Sequence, residues 1–211
     1  MIPYHDENAT QHTSYVTFAL IGLNVLSWLG VQGSGSTMAL ARSVCELGLI
    51  PGELTGLAPP GTTFPMGEGL ACLTDPGRQI SHVFTSMFLH GGWMHLLGNM
   101  WFLWIFGNNI EDSMGHVRFI AFYLLGGVAA VAAQTAIDPN STIPTIGASG
   151  AVAAVLGGYA LLYPRARVVT LIFIIFFITL IELPALVVLG LWFLLQVWYG
   201  SAELTQPVGG G

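Results

Sequence analysis

Between Arg78 and Glu111 the chain contains no Asp, Glu, Lys or Arg. Three more windows share that property: residues 13–31, 119–137 and, roughly, 146–163. A helix needs about 20 apolar residues, within a range of about 17–25, to cross a hydrocarbon core about 30 Å thick. Each window therefore has spanning length. A last apolar stretch, 168–199, is interrupted by Glu182-Leu183-Pro184. Its first half, 168–181, is short and rich in Ile, Phe, Val and Thr, which favour strands. It reads as a re-entrant or interfacial segment. Its second half opens on Pro184, a good first-turn residue, and reads as a fifth span. Water is a poor solvent for such a chain: only 8% of its residues are charged, against roughly 25% in soluble domains. There is no lysine, and the five arginines are scattered, so no basic patch exists to hold nucleic acid.

The spans divide the sequence. Residues 1–12 are polar and carry Asp6 and Glu7 without a basic residue. That is not the basic n-region of a signal peptide, so the first span is expected to be retained. Residues 32–80 form a long loop rich in Gly and Pro and holding both cysteines, Cys45 and Cys72. The membrane domain is expected over 13–205, with a glycine-rich end at 206–211. Placing the N-terminus in the cytoplasm puts Arg118, Arg165 and Arg167 in short inner loops, as the positive-inside rule favours. The long loop then lies outside, where a disulfide between Cys45 and Cys72 would persist.

Polar groups inside a span are costly and call for an explanation. In the second span His95 and Asn99 are four residues apart and share a helix face. His90 lies nearer the outer end. The fourth span opens with Gly147-Ala148-Ser149-Gly150-Ala151. Taken singly, each has a structural reading. The imidazole and amide can bond neighbouring helices, and Gly147 with Ala151, or Gly150 with Ala154, form small-xxx-small pairs that let helices approach. Together they are the parts of a hydrolytic site: a serine nucleophile and donors for an oxyanion. The esterase elbow fails, because position 151 is Ala and no strand precedes it. A zinc protease would want His-Glu-x-x-His, which is absent, and no inverted repeat suggests a transporter. Glu111 and Asp112 read as charges that stop a helix at the interface, with a structural contact to a neighbouring loop as the alternative.

The run from His90 to Asn99, its continuation Met100-Trp101-Phe102-Leu103-Trp104, and Gly107-Asn108-Asn109-Ile110-Glu111-Asp112 closely resemble the second span of bacterial rhomboids. Gly147-Ala148-Ser149-Gly150 and the opening Ile2-Pro3 resemble the same family. Rhomboids are intramembrane serine proteases that cut transmembrane substrates near the outer face with a Ser–His dyad. The resemblance implies that Ser149 is the nucleophile and that His95, Asn99 and Gly147 serve the oxyanion. It gives His90 no role. The family carries its catalytic histidine on a sixth helix, in an Ala-His-x-x-Gly setting. This sequence has no histidine after His116.

The expectation is thus an all-α, polytopic membrane protein. It would be a rhomboid-like bundle with five of six core helices present, truncated before the sixth, and inactive alone. Its location would be a bacterial inner or plasma membrane. Its partners would be transmembrane protein substrates and the bilayer, with no metal or cofactor. The competing reading is a catalytically dead relative that binds transmembrane helices.

Overall fold

The computed structural model describes residues 2–67, 69–174 and 177–205. The glycine-rich end at 206–211 lies outside the described residues. In chain order the elements are β1 (Ile2–Asp6), α1 (Tyr15–Leu26), α2 (Thr37–Leu47), α3 (Pro51–Thr55), β2 (Thr63–Gly67), β3 (Leu70–Leu73), α4 (His82–Thr85), α5 (Trp93–Met114), α6 (His116–Ile137), α7 (Ser149–Leu162), β4 (Arg167–Ile174), β5 (Phe177–Pro184) and α8 (Ala185–Thr205). A π-helical turn, Ser27–Val31, extends α1.

The four uncharged windows become α1, α5, α6 and α7, and the fifth apolar half becomes α8. Among the described residues one helix, α6, is long and apolar enough to cross a membrane by itself. Tyr15–Val31, Ser149–Leu162 and Ala185–Trp198 are shorter apolar helices. The second window is not continuous. The extended Leu89 and the glycines at 91 and 92 break it, and α5 starts only at Trp93. The core lies where α5, α6 and α7 meet. Leu103, Phe106, Phe119, Tyr123, Val152, Val155 and Tyr159 are all fully buried there. A tight turn at Gly115, with φ of +80°, reverses the chain between α5 and α6. That left-handed conformation suits glycine.

Small residues set the α6–α7 approach. A Cβ on Gly126 would collide with the Cβ of Ala154, and one on Gly150 with that of Ala130. Gly150 and Ala154 are one of the two pairs read from the sequence as a close-packing seam.

The all-α expectation is corrected. Of the segment read as re-entrant or interfacial, residues 168–174 and 177–181 are strand: they lie in the antiparallel pair of β4 and β5, and β1 adds to it in the order β1-β4-β5. Ile2 pairs with Leu171, Asp6 with Val168, and Val169 with Glu182. The cause is local: a β-branched run too short to span must still pair its backbone in apolar surroundings, and a hairpin does so. Pro184 closes β5 rather than opening the last helix, which begins at Ala185. A second hairpin, β2 with β3, lies in the long loop. Cys45 on α2 and Cys72 on β3 form a disulfide with Cα atoms 5.5 Å apart. Ile50, Phe64 and Cys72 are buried together beside it.

A serine, a glycine and a histidine at one end of the helical core

Ser149 is the first residue of α7. The chain reaches it through Pro144-Thr145-Ile146-Gly147, held from two sides. Thr145 and Leu49 of the long loop exchange backbone hydrogen bonds of 2.6 and 3.1 Å, and the Gly147 N–H donates to the Ser86 carbonyl at 2.9 Å. Gly52 N–H and Thr55 Oγ1 bond the carbonyls of Ser141 and Pro139. The long loop is therefore docked on the approach to Ser149.

Gly147 has φ of +125°, a left-handed conformation that favours glycine. Space demands glycine as well. A Cβ there would stand 2.7 Å from both Cε1 and Nε2 of His95 and 3.7 Å from Ser149 Oγ. The His95 ring edge thus lies against Gly147, beside the serine hydroxyl. Helix lengths place them there. Tyr163 follows Ser149 by fourteen residues, and Asn109 follows His95 by fourteen. The Tyr163 hydroxyl donates to the Asn109 carbonyl at 3.5 Å. Two parallel helices in register at that point, rising about 1.5 Å per residue, bring Ser149 level with His95.

The hydrogen bond of the other ring nitrogen decides the imidazole's role. The Gly91 N–H donates to His95 Nδ1 at 3.3 Å. A neutral imidazole whose Nδ1 accepts carries its proton on Nε2. The nitrogen facing Gly147 is then a donor and cannot take a proton from Ser149. Asn99 is buried one turn further along α5, and its amide nitrogen donates to the His95 carbonyl at 3.1 Å. A cavity of about 160 Å³ opens beside Ser149, lined by Ser86, Met87, Gln134, Thr145 and Gly147 among others. Its lining contains no Asp, Glu, Lys or Arg, and neither His95 nor Asn99. Of the residues read from the sequence, then, Ser149, Gly147 and His95 are brought together, and Asn99 adjoins His95.

His90 is fully buried and meets the His95 ring edge-on, with centroids 5.0 Å apart. Neither of its ring nitrogens has a hydrogen-bond partner among the described residues. Sequence reading missed Gln32. It is buried, and its amide bonds the His90 backbone twice, accepting from the N–H at 2.8 Å and donating to the carbonyl at 2.7 Å. Its only signal was an amide closing an apolar window. Gln134 and Ser86 on the cavity wall gave no signal at all.

A mostly helical, apolar bundle that holds a hydroxyl and an imidazole side by side, both half-buried, at one end defines the class: a membrane-type helical protein. The rhomboid domain profile matches residues 77–207, more than half of the chain, and the chain belongs to the rhomboid family. Relatives include rhomboid-like protein 11, chloroplastic, of Arabidopsis thaliana, 38% identical over 68 residues, which are 32% of this chain and 24% of that protein. The presenilin-associated rhomboid-like protein, mitochondrial, of Mus musculus is 31% identical over 101 residues, 47% of this chain and 27% of the relative. Rhomboid-like protease 5 of Toxoplasma gondii is 36% identical over 83 residues, 37% and 9% of the two chains. The matches thus span about a quarter or less of these relatives' own lengths. Rhomboid proteins are membrane proteins, and the family includes intramembrane serine proteases.

Proposed function

We propose that this chain carries the nucleophile and oxyanion site of an intramembrane serine endopeptidase that cleaves transmembrane protein substrates. The carrying observation is the single point above Gly147 flanked by both Ser149 Oγ and the His95 ring edge. Ser149 Oγ attacks the scissile carbonyl. The negative charge that develops on its oxygen is met by His95 Nε2–H, by the Asn99 amide and by the N–H groups of the first turn of α7, which have no intrahelical acceptor. Gly147 keeps the space between ring and hydroxyl clear. The proton of Ser149 needs a base. His95 is committed as a donor and His116 lies at the opposite end of α5, so neither is the base, and by resemblance to the family the dyad imidazole is carried by a sixth helix.

The five apolar helices are proposed to span a plasma or inner membrane, with the N-terminus in the cytosol and Ser149 near the outer face. The 211-residue chain in bilayers is expected to leave a transmembrane substrate intact. The chain extended by a sixth helix bearing Ala-His-x-x-Gly is expected to cut it, and Ser149→Ala to abolish cutting. Ser149-dependent cleavage by the unextended chain would refute the dyad assignment. Cleavage by the extended Ser149→Ala variant would refute the nucleophile.

A further inference from the structure

We infer that Gln32, at the outer end of the first span, is a positioning residue that fixes the tautomer and orientation of His95. The inference deepens the proposed function by naming what holds the oxyanion donor in place. Three observations carry it. First, the Gln32 amide is fully buried and spends both its polar ends on the His90 backbone, at 2.8 and 2.7 Å. In an apolar site a planar amide bonded at both ends has one orientation, so the peptide before Gly91 is held as firmly as in a sheet. Second, the next N–H along the chain, that of Gly91, donates to His95 Nδ1. The direction of that N–H is set by the peptide plane it shares with the clamped His90 carbonyl. Third, the helix is built to aim Gln32. The Gln32 N–H bonds the Ser27 carbonyl at 3.0 Å, closing the π-helical turn Ser27–Val31. A π-turn holds one more residue than an α-turn and rotates the residues after it by roughly 100° relative to an unbroken α-helix. Without it, the side chain at position 32 would face away from His90.

The Trp28 and Trp93 rings pack edge-to-face across the same junction, with centroids 5.4 Å apart. They keep the end of the first span against the start of α5, so substituting Gln32 alone removes the clamp without removing the contact between the helices. The path runs from the Gln32 amide through the His90–Gly91 peptide to His95 Nδ1. It ends at the Nε2–H beside Ser149. It passes through the backbone of His90 and makes no use of that residue's ring.

The test uses the full chain in lipid bicelles with ¹⁵N-labelled histidine. Ring nitrogen shifts report the tautomer of His95 directly, and His95→Gln assigns the signals. The wild type is expected to show a single Nε2–H form. Gln32→Leu, which fills the space without hydrogen bonds, is expected to give a mixture of both tautomers. Gln32→Glu keeps the acceptor for the His90 N–H and loses the donor, so it is expected to fall between the two. It also decides the matter if the leucine variant does not fold. Unchanged His95 shifts in a folded Gln32→Leu, or in Gln32→Glu, would overturn the inference. In a chain extended by the sixth helix, Gln32→Leu is expected to lower kcat about tenfold and leave KM within about twofold. If Ser149 proves not to be the nucleophile, the kinetic arm falls with the proposed function, while the tautomer arm still tests the role of Gln32.

Discussion

The carboxylate of Glu111 caps a helix to which it does not belong. Glu111 is buried and accepts the N–H groups of Val16 and Thr17 at 2.9 and 2.7 Å, as well as the Thr17 hydroxyl at 2.7 Å. The His116 ring sits 2.6 Å from its other side. Ser14, the residue in the N-cap position of α1, makes no side-chain cap, so the first turn of α1 depends on Glu111. Glu111→Ala leaves several buried donors unpaired, each costing about 1–3 kcal/mol. A loss of roughly 3–5 kcal/mol is expected from thermal or denaturant unfolding in detergent. In the long loop, burial raises the Glu53 carboxyl above its ordinary 4.5, against the opposing hydrogen bond from the Asp75 N–H. The folded loop therefore holds the Glu53 proton more tightly than the unfolded loop does, and stability falls as pH rises from 4.5 through the folded value. Glu53→Gln keeps an acceptor for Asp75. Its melting temperature relative to wild type is expected to rise across that window and stay level above it. Which residues gather was largely legible: Ser149 and His95 were singled out from motif and helix period, Gly147 from the resemblance to rhomboids, and they lie side by side. Glu111 and Asp112 were read first as charges that end a helix, and the contact to another segment, which the structure shows, stood only as the alternative. Their partners, Val16, Thr17, Gln11 and His12, lie 94 to 101 residues away, and no local pattern announces a contact at that separation. Gln32 escaped for the same reason.

Among the elements, helices were the easier part, since an uncharged apolar window of that length has few other ways to satisfy its backbone. Their ends were harder. The window around 78–111 looked seamless because its break uses Gly91 and Gly92, and glycines are frequent within membrane helices as well. The β4–β5 hairpin was half legible. Its β-branched composition was plain, but the strand that completes the sheet, β1, comes from the opposite terminus and could not be read from the segment itself. Trp101 and Asn109 of α5 fasten β1: the indole N–H donates to the Pro3 carbonyl at 2.7 Å and the amide to Asp6 at 2.7 Å. Tyr159 of α7 donates to the same Asp6 carboxylate. The α6–α7 seam makes the strongest prediction at this scale. Gly126 faces Ala154 with no room for a Cβ, so Gly126→Val must push the helices apart. Overpacking of this kind typically costs about 1–3 kcal/mol. Because Gly150 stands next to Ser149 and packs on Ala130 of the same α6 face, the variant is expected to lose cleavage in the extended chain as well as stability. Gly157, whose added Cβ meets nothing within 4 Å, is the control: Gly157→Ala is expected to leave both within error.

Across the whole molecule the polar chemistry divides between two ends. One end holds β1, the Asp6–Tyr159–Asn109 hydrogen bonds and the Glu111 and Asp112 carboxylates that fix the N-terminal segment. The other end holds Ser149, His95, Gln32 and the long loop, with Leu49 bonded to Thr145 on the approach to the serine. The Cys45–Cys72 disulfide belongs to that second end. A disulfide persists in an oxidising compartment and not in the cytosol. The covalent bond therefore supports, independently of the arginines, the proposed orientation with Ser149 on the outer side and the N-terminus inside. A membrane-impermeant reductant added to intact cells, followed by a bulky maleimide, is expected to modify Cys45 and Cys72. Without reductant, neither is expected to react. Cysteine pairs that become labelled only after the cells are lysed would place the loop, and with it the serine, on the cytosolic side. The bond closes a loop with a sequence separation of 27, for which chain entropy gives about 3–4 kcal/mol of stabilisation. Yet Leu49, Gly52 and Thr55, which dock the loop on residues 139–145, all lie inside the closed segment. Reduction is thus expected to release the docking contacts together, so that proteases cut between Cys45 and Cys72 while α5, α6 and α7 stay intact. The His95 tautomer is expected to survive that cut, because Gln32 precedes Cys45 and its hold on His90 does not pass through the disulfide loop.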